Sequence, residues 1–184
     1  MKKINTKILG ICGSPRSGNT EWIMNEVFKE IPKDIGELIL LRNMQIKFCD
    51  GDLFCEDVKR CRIHDDMVGL YEKLVNCEKI VIGTPVYFDS IPALLKNFID
   101  RLNPLCVTEK LKRKELYLII VGQLKGAEGE KSKKRVEEYF KILCEIFGMV
   151  FRRAWKFSAR QPNDISKFPY IRKICQNIRS EIFR

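Results

Sequence analysis

Residues 13–20, Gly-Ser-Pro-Arg-Ser-Gly-Asn-Thr, have the composition of an anion-binding loop. They follow a short apolar run at residues 7–12 and precede an amphipathic helical pattern. The first backbone N–H groups of a helix are unpaired and favour negative charge, while glycine allows close approach. Ser, Asn and Thr side chains add donors, and Arg16 adds a permanent charge. This segment predicts a phosphate pocket; the alternative is an ordinary turn capped by Asn or Thr.

Three of the eight cysteines lie in one irregular stretch, as Cys49, Cys55 and Cys61. Thiolates bind zinc and iron–sulfur clusters, so this stretch is a candidate metal site. The other five lie in or beside apolar periodic segments, where a thiol usually serves as a small core residue. These five are Cys12, Cys77, Cys106, Cys144 and Cys175. We expect no disulfide framework, because the chain has the features of a protein from a reducing compartment.

Several other catalytic patterns are missing from the sequence. His64 is the only histidine, and the sequence has no Gly-x-Ser-x-Gly motif of a serine hydrolase. Residues 13–20 lack the lysine of a nucleoside-triphosphate-binding loop, and residues 10–19 lack the spaced glycines of a dinucleotide fingerprint. We therefore assign no side chain as nucleophile, general acid or general base.

The composition is typical of a soluble globular protein, with 45% apolar and 32% charged residues in a chain of 184. No apolar run approaches the ~20 residues that span a membrane. Residues 1–12 have the pattern of a short basic start followed by a strand, and not that of a signal peptide. We therefore expect one domain over residues 1–184, a cytoplasmic location and no membrane partner.

The positive charge lies in the second half of the chain. Residues 1–100 contain 14 basic and 15 acidic residues, whereas residues 101–184 contain 20 and 9. The basic residues fall on the polar faces of predicted helices and do not alternate with aromatic residues, so we expect no nucleic-acid partner. A solvated face, or attraction of an anionic cofactor or an acidic protein, would explain the asymmetry.

Strand and helix patterns alternate along the whole chain. Strands are predicted at residues 7–12, 37–41, 79–83, 116–121 and 149–157. Helical patterns cover residues 23–31, 67–75, 91–102, 136–147 and 171–182, with Asp65 or Asp66 as the N-cap of the second. The alternation predicts an α/β fold: a doubly wound, five-stranded parallel sheet of flavodoxin-like order 2-1-3-4-5, with helices on both faces. Residues 43–64, which contain the three clustered cysteines, form an irregular insertion.

In this strand order the ends of strands one and three flank the same crevice. The loop after strand three contains Pro85, Val86, Tyr87 and Phe88, whose apolar and aromatic side chains suit a flat ring. The alternative is that Tyr87 and Phe88 pack beneath the loop as core. Together with residues 13–20, this loop predicts a ligand that joins a phosphate to a planar aromatic head.

Four segments resemble the NADPH-dependent FMN reductase group of flavodoxin-like proteins, and within that group the iron–sulfur flavoproteins. The four are residues 13–20, 65–67, 85–88 and 96–101, and the resemblance covers roughly residues 5–125. It implies that FMN is held by its phosphate at Ser14, Arg16, Ser17, Gly18, Asn19 and Thr20. It also implies that the flavin ring lies against Pro85, Val86, Tyr87 and Phe88. A third contact would come from the loop after strand four, with Gly122 and Gln123.

The resemblance implies an oxidoreductase that passes reducing equivalents from NAD(P)H through FMN to a flavin, a quinone or a redox protein. The cofactor then carries the difficult chemistry and the protein positions it. The alternative is a non-enzymatic electron carrier of iron–sulfur flavoprotein type, whose basic half docks an acidic, ferredoxin-like partner. Members of the family commonly form homodimers. The helix at residues 91–102 is the candidate contact, although core packing explains its apolar stripe equally well.

The iron–sulfur members carry four cysteines in a compact run, and Asp52 here stands where the second is expected. Cys49, Cys55 and Cys61 together with Asp52 could hold a [4Fe–4S] cluster, because one iron tolerates an oxygen ligand. Zinc, held by the three thiolates and an oxygen ligand or His64, is a second alternative. The third, which we favour, is a loop that keeps the family's shape without a metal.

Overall fold

The structure is a computed structural model that describes residues 7–183. Its strands are β1 (Ile8–Cys12), β2 (Gly36–Leu40), β3 (Lys79–Pro85), β4 (Glu115–Gly122) and β5 (Val150–Ser158). The strands pair in parallel in the order β2-β1-β3-β4-β5. Each strand lies within two residues of its predicted bounds, and the predicted α/β class and flavodoxin-like order are confirmed.

Seven α-helices occur within residues 7–183. They are α1 (Asn19–Phe28), α2 (Phe54–Val58), α3 (Met67–Asn76), α4 (Ala93–Asp100), α5 (Asn103–Val107), α6 (Gly126–Phe147) and α7 (Pro169–Phe183). Short 3-10 turns cover Leu41–Asn43 and Ile165–Lys167. Over this described part of the chain, no helix is both long enough and apolar enough to cross a membrane.

The sheet separates two apolar cores, because successive strand residues face opposite sides. In β4, Leu118 belongs to the core under α3, α4 and α6, whereas its neighbour Ile119 belongs to the core under α1 and α7. Both side chains are fully buried. Burial of one such side chain stabilises the fold by roughly 1.5–3 kcal/mol. The prediction of helices on both faces is therefore confirmed.

The helix predicted at residues 91–102 is α4, and sequence reasoning missed the short helix α5 that follows it. α4 stops, and α5 begins at Asn103 with Pro104 in its first turn, since proline has no N–H to continue the preceding helix. The apolar side chains of α4, including Leu95 and Phe98, are buried in the chain's own core. Core packing therefore accounts for the apolar stripe, and α4 does not present it to a second copy.

The insertion at residues 43–64 contains α2, which sequence reasoning missed, and it is anchored to α4. The Arg101 guanidinium, 1% exposed, donates to both carboxylate oxygens of Asp65 at 2.6 and 3.1 Å and to the Lys47 carbonyl oxygen at 2.7 Å. Asn97 Nδ2 donates to the Ile46 carbonyl oxygen at 2.9 Å. Burial alone would raise the pKa of Asp65, but the hydrogen bonds from Arg101 and backbone N–H groups hold it below its usual value.

The start of α3 separates the roles of two neighbouring carboxylates. Asp66 is the N-cap of α3 and makes no capping hydrogen bond with its side chain, whereas Asp65 Oδ1 accepts a hydrogen bond from the Met67 N–H of the first turn at 3.0 Å. Asp66 Oδ2 instead accepts the Gln45 N–H at 2.7 Å. Asp65 therefore serves both the helix and the anchor of the insertion.

Four of the five cysteines expected in the core are buried: Cys12, Cys77, Cys144 and Cys175. Cys106 differs, because it lies on the short α5 and is only half-buried. Its thiol lies 3.8 Å from a carbonyl oxygen of α6. A one-and-a-half-turn helix buries few positions, so the apolar pattern around Cys106 did not reveal this exposure.

Candidate functional site

The carboxyl ends of β1 and β3 lie side by side, as the strand order requires. Cys12 pairs with Gly83, and the Gly13 N–H donates to the Gly83 carbonyl oxygen at 2.8 Å. A Cβ at Gly13 would lie 2.8 Å from the side chain of Leu95, so a larger residue there would displace part of α4. The first loop thus begins at the point where the direction of winding reverses.

Helix α1 begins without a capping side chain. Its N-cap is Gly18, which is extended, with φ −176° and ψ −157°. The alternative of a turn capped by Asn or Thr is therefore not what this loop forms. Ser14 Oγ donates to the Arg16 carbonyl oxygen at 2.7 Å and shapes the loop before the helix. The N–H groups at the start of α1 receive no side-chain acceptor from residue 18, which suits an anion.

A crevice of about 100 Å³ lies between the loops that follow β1, β3, β4 and β5. Nine of the twelve predicted cofactor residues line it. These are Ser14, Arg16, Gly18, Asn19, Thr20, Pro85, Val86, Tyr87 and Gln123. The exposed side chains of Arg16 and Arg160 bring two positive charges to its wall. The structure thus brings the first and second predicted loops to one place.

Ser17 is the predicted phosphate residue that does not line the crevice. Its hydroxyl donates to Glu21 Oε1 at 3.3 Å, and Glu21 in turn pairs with Arg42 at 2.7 Å. The hydrogen bond from Arg42 lowers the pKa of Glu21 below its usual value. The Ser17 side chain is therefore part of an ion-pair network on α1.

Asn19 joins the crevice to the segment that follows β5. Its Nδ2 donates to the Gln161 carbonyl oxygen at 2.7 Å, and its Oδ1 accepts the Ile165 N–H at 3.1 Å. One N–H and the oxygen of the amide are thus already bonded within the protein, so Asn19 forms part of the wall and holds the segment after β5. The anchored segment carries Arg160, which sequence reasoning missed. Its position directly after a parallel strand was the signal that could have found it.

A larger cavity of about 350 Å³ adjoins the crevice and shares Val86, Tyr87 and Gln123 with it. Phe88 and Gly122, two further predicted residues, line this second cavity. A crevice flanked by cations therefore opens into a cavity walled by apolar and aromatic groups. Such a pair of spaces suits an anionic group attached to a planar ring.

The second loop is held in a strained turn. Tyr87 and Ser90 exchange backbone hydrogen bonds of 2.9 Å, and between them Phe88 and Asp89 have positive φ values of 48° and 61°. Such a conformation costs a non-glycine residue about 1–3 kcal/mol. Phe88 is fully exposed and Tyr87 is 40% exposed, so the alternative that both pack as core is wrong. An ion pair between Asp89 and Arg135 of α6 restrains the turn.

The clustered cysteines and Asp52 line one small cavity of about 20 Å³ beside α5. Space of that size holds roughly one water molecule. Within residues 7–183, no three Cys, His, Asp or Glu side chains lie close enough together to hold a metal ion. His64, proposed above as a zinc ligand, is exposed and outside the lining of this cavity.

Asp52 is already engaged by other groups. It forms an ion pair with Arg62, and its Oδ1 accepts the Phe54 N–H at 3.2 Å. Arg62 also donates to Asp50 at 2.7 Å, and this bond lowers the pKa of the Asp50 carboxyl. As placed, these residues do not fit a [4Fe–4S] cluster or a zinc ion.

Comparison with known proteins identifies the family to which the chain belongs. The family described as NADPH-dependent FMN reductase matches residues 6–162. An iron–sulfur flavoprotein of Methanocaldococcus jannaschii is 31% identical over 139 residues, which cover 74% of this chain and 72% of that protein. An NAD(P)H-dependent FAD/FMN reductase of Geobacillus thermodenitrificans is 28% identical over 130 residues, or 65% of this chain and 67% of that protein.

The fold is also similar to that of general stress protein 14 of Treponema denticola, whose structure was solved in complex with FMN. The two share a TM-score of 0.68 at 14% identity, over 96% of this chain and 97% of that one. The family match spans most of the chain, and the archaeal relative is more than 30% identical over 74% of it. This chain therefore belongs to the NADPH-dependent FMN reductase family of oxidoreductases.

Proposed function

We propose that this chain binds FMN and uses it to pass reducing equivalents from NAD(P)H to a flavin, a quinone or a redox protein. One observation carries the proposal: a crevice flanked by Arg16 and Arg160 opens into a cavity walled by Val86 and Tyr87. The site lies at the carboxyl ends of the central strands, where open parallel sheets bind their ligands. Membership of the family supports the nicotinamide donor.

The crevice would hold the phosphate. The N-terminal N–H groups and the dipole of α1 favour an anion, and the guanidinium groups of Arg16 and Arg160 offer charge-assisted hydrogen bonds. Ser14 orients the Arg16 backbone through its 2.7 Å hydrogen bond. The phosphate would thus be bound from the loops after both β1 and β5.

The larger cavity would hold the ring. In the second loop, the Val86 N–H donates to the Val121 carbonyl oxygen and the Tyr87 N–H to the Ser90 carbonyl oxygen, both at 2.9 Å. These two donors are already used within the protein. Backbone hydrogen bonds to the ring would therefore come from the third loop, at Gln123, while the second loop supplies apolar contact.

When bound, FMN supplies the redox chemistry, since it accepts a hydride and releases electrons singly or in pairs. The protein's own groups would bind the FMN, orient it and shield it from water. Cys12, the thiol that precedes the first loop, is buried, and burial raises its pKa to about 11. It therefore stays a neutral thiol at physiological pH, and no side chain is proposed as nucleophile, acid or base.

We also propose that FMN is the only redox centre and that the loop at residues 49–61 works without a [4Fe–4S] cluster. The ion pair between Asp52 and Arg62 supports this, because it occupies the carboxylate that stands in place of the second cysteine of the family's four. The cavity of about 20 Å³ supports it as well.

The alternative of an electron carrier that docks an acidic partner is less well supported. Several basic side chains of the second half are paired with carboxylates of the same chain. Lys141 and Lys156 both lie 2.7 Å from Glu137, and Arg153 lies 2.8 Å from Glu181. Part of the basic excess on α6 and β5 is therefore already engaged within the chain. Homodimer formation stays a prediction for analytical ultracentrifugation to test.

An anaerobic absorption spectrum with iron and sulfide analysis tests the proposal. We expect a flavin spectrum, bleaching by NADPH or NADH, and steady turnover when a free flavin or a quinone is added. Reduction only by a reduced protein partner, weakened by added salt, would instead support the carrier. A colourless protein that gains no flavin on reconstitution with FMN would overturn the proposal.

A further inference from the structure

Lys133 of α6 is the only lysine classed as buried within residues 7–183, at 1% exposure. Lysine is rarely buried unless it is paired, because removing its charge from water is costly. This residue lies on the turn after Gly129 and Ser132, both of which line the 350 Å³ cavity. Its charge is thus placed next to the proposed ring site and not on the surface.

The ammonium group of Lys133 begins a chain of hydrogen bonds to the third loop. Its Nζ donates to Ser158 Oγ at 2.6 Å, and Ser158 Oγ donates to the Leu124 carbonyl oxygen at 3.2 Å. Ser158 is the last residue of β5, and Leu124 lines the cavity. The chain thereby joins α6, β5 and the loop proposed to contact the ring.

The backbone of the third loop lies directly against these groups. A Cβ at Gly122 would lie 3.2 Å from Lys133 Cγ and 3.8 Å from Val86 Cγ2, so the aliphatic stem of the lysine packs directly against this glycine of the cavity lining. A Cβ at Gly129 would lie 2.2 Å from the Leu124 carbonyl oxygen, which excludes any larger residue there. The ammonium group is therefore next to the third loop, while Lys133 itself is outside the cavity lining.

The only carboxylate paired with this ammonium in the described chain is that of Glu130, 2.8 Å away and 62% exposed. Water screens an exposed carboxylate more strongly than a buried ammonium. A ligand in the cavity would therefore experience a net positive field from this pair. Such a field favours the form of a ligand that carries more negative charge.

We propose that Lys133 is a positioning residue that sets the redox preference of the ring site. It fixes the third loop through Ser158, and its charge favours reduced over oxidised FMN. This inference rests on the proposed function, since it requires FMN in the cavity. It adds a physical reason for the redox potential that the bound FMN would have.

The test compares variants by FMN affinity and by midpoint potential from equilibrium titration with redox dyes. Lys133→Met keeps length and removes charge; we expect the ratio of affinities for reduced and oxidised FMN to fall about tenfold, which lowers the potential by about 30 mV. Glu130→Gln leaves the Lys133 ammonium without its carboxylate, so the ratio of affinities for reduced and oxidised FMN should rise about threefold. Because Glu130 is exposed, this variant should fold even where Lys133→Met does not.

Ser158→Ala separates the two parts of the inference. It breaks the hydrogen-bond chain and keeps the charge, so both forms of FMN should bind several-fold more weakly at an unchanged potential. Lys134→Met and Glu138→Gln are the matched controls, because this exposed pair lies on the same helix. Neither control should change affinity or potential.

Two results would overturn the inference. If the wild type binds FMN and Glu130→Gln has the same midpoint potential as the wild type, this inference alone is overturned. The same holds if Lys133→Met folds and its midpoint potential is unchanged. Failure of the wild type to bind FMN would overturn it together with the proposed function. Opposite shifts in the two variants would support it.

Discussion

The Asn19 side chain donates a 2.7 Å hydrogen bond to the carbonyl oxygen of Gln161, 142 positions later in the chain. Asn19 opens α1, whereas Gln161 follows the last strand. This contact fixes the segment that carries Arg160 to the start of the phosphate crevice. The Asn19 amide is thus one of the contacts that set the relative position of the two arginines, together with the hydrogen bond from the Ala159 N–H to the Gly122 carbonyl oxygen.

Replacing Asn19 with Ala should loosen this segment. The change leaves the Gln161 carbonyl and the Ile165 N–H without their partner, which costs roughly 1–3 kcal/mol in the free energy of unfolding. FMN affinity should also fall several-fold, since Arg160 is no longer held. Chemical denaturation and flavin titration measure the two effects. Asn25→Ala, at an exposed position of the same helix, should change neither.

The arginines should act on the phosphate and not on the ring. We expect Arg16→Ala and Arg160→Ala each to weaken FMN binding about tenfold, or ~1.4 kcal/mol, while riboflavin, which lacks the phosphate, binds as to the wild type. Isothermal titration with both ligands makes the comparison, and Arg153→Ala on β5 is the control. An equal loss for riboflavin would contradict the assignment of the crevice to the phosphate.

Asp52 should decide whether the cysteine loop binds iron. Anaerobic reconstitution with iron and sulfide should leave the wild type with a flavin spectrum alone. Asp52→Cys removes the partner of Arg62 and restores the fourth thiolate, so it should gain about four irons per chain. Asp57→Cys, an exposed change outside the cavity, controls for an added thiol. A wild-type chain that takes up the same iron as Asp52→Cys would contradict the proposal.

The buried pair of Asp65 and Arg101 should make stability fall in acid. The pKa of Asp65 is held below 3.8, its ordinary value, so the fold gains stability from this carboxylate above that pH and loses it as pH falls through the lowered value. Asp65→Asn should therefore cost about 3 kcal/mol at pH 7, because it leaves the guanidinium buried without a counter-charge. The difference from the wild type should shrink below about pH 4.

Thermal denaturation between pH 3 and pH 8 measures this difference. Asp100→Asn is the control, because Asp100 lies beside Arg101 in sequence, is exposed and forms only a surface pair with Lys96. A difference between wild type and Asp65→Asn that stays constant down to pH 3 would show that the ion pair is not its source.

Local patterns explain what could be predicted from the sequence. The strands and the loops after β1 and β3 follow from short-range periodicity and from one rule about parallel sheets. Lys133 could not be found in that way, since it is placed by contacts between distant segments, whereas the position of Arg160 just after β5 was open to the same rule. The short helix α5 lies after the helix predicted at residues 91–102, and Pro104 in its first turn was the signal that could have located it. The engagement of Asn19 depends on Gln161, which no local pattern identifies.

The anchor of the insertion has a consequence for how this family can change. Arg101 holds Asp65 and the Lys47 carbonyl, and Asn97 holds Ile46, so these attachments lie on either side of the cysteines. The ligand positions between them can therefore be exchanged one at a time without detaching the segment from α4. Gain or loss of a metal centre becomes a change of a few side chains on a backbone that is already supported. The residues that fix the position of this loop are therefore different from the residues that would bind a metal.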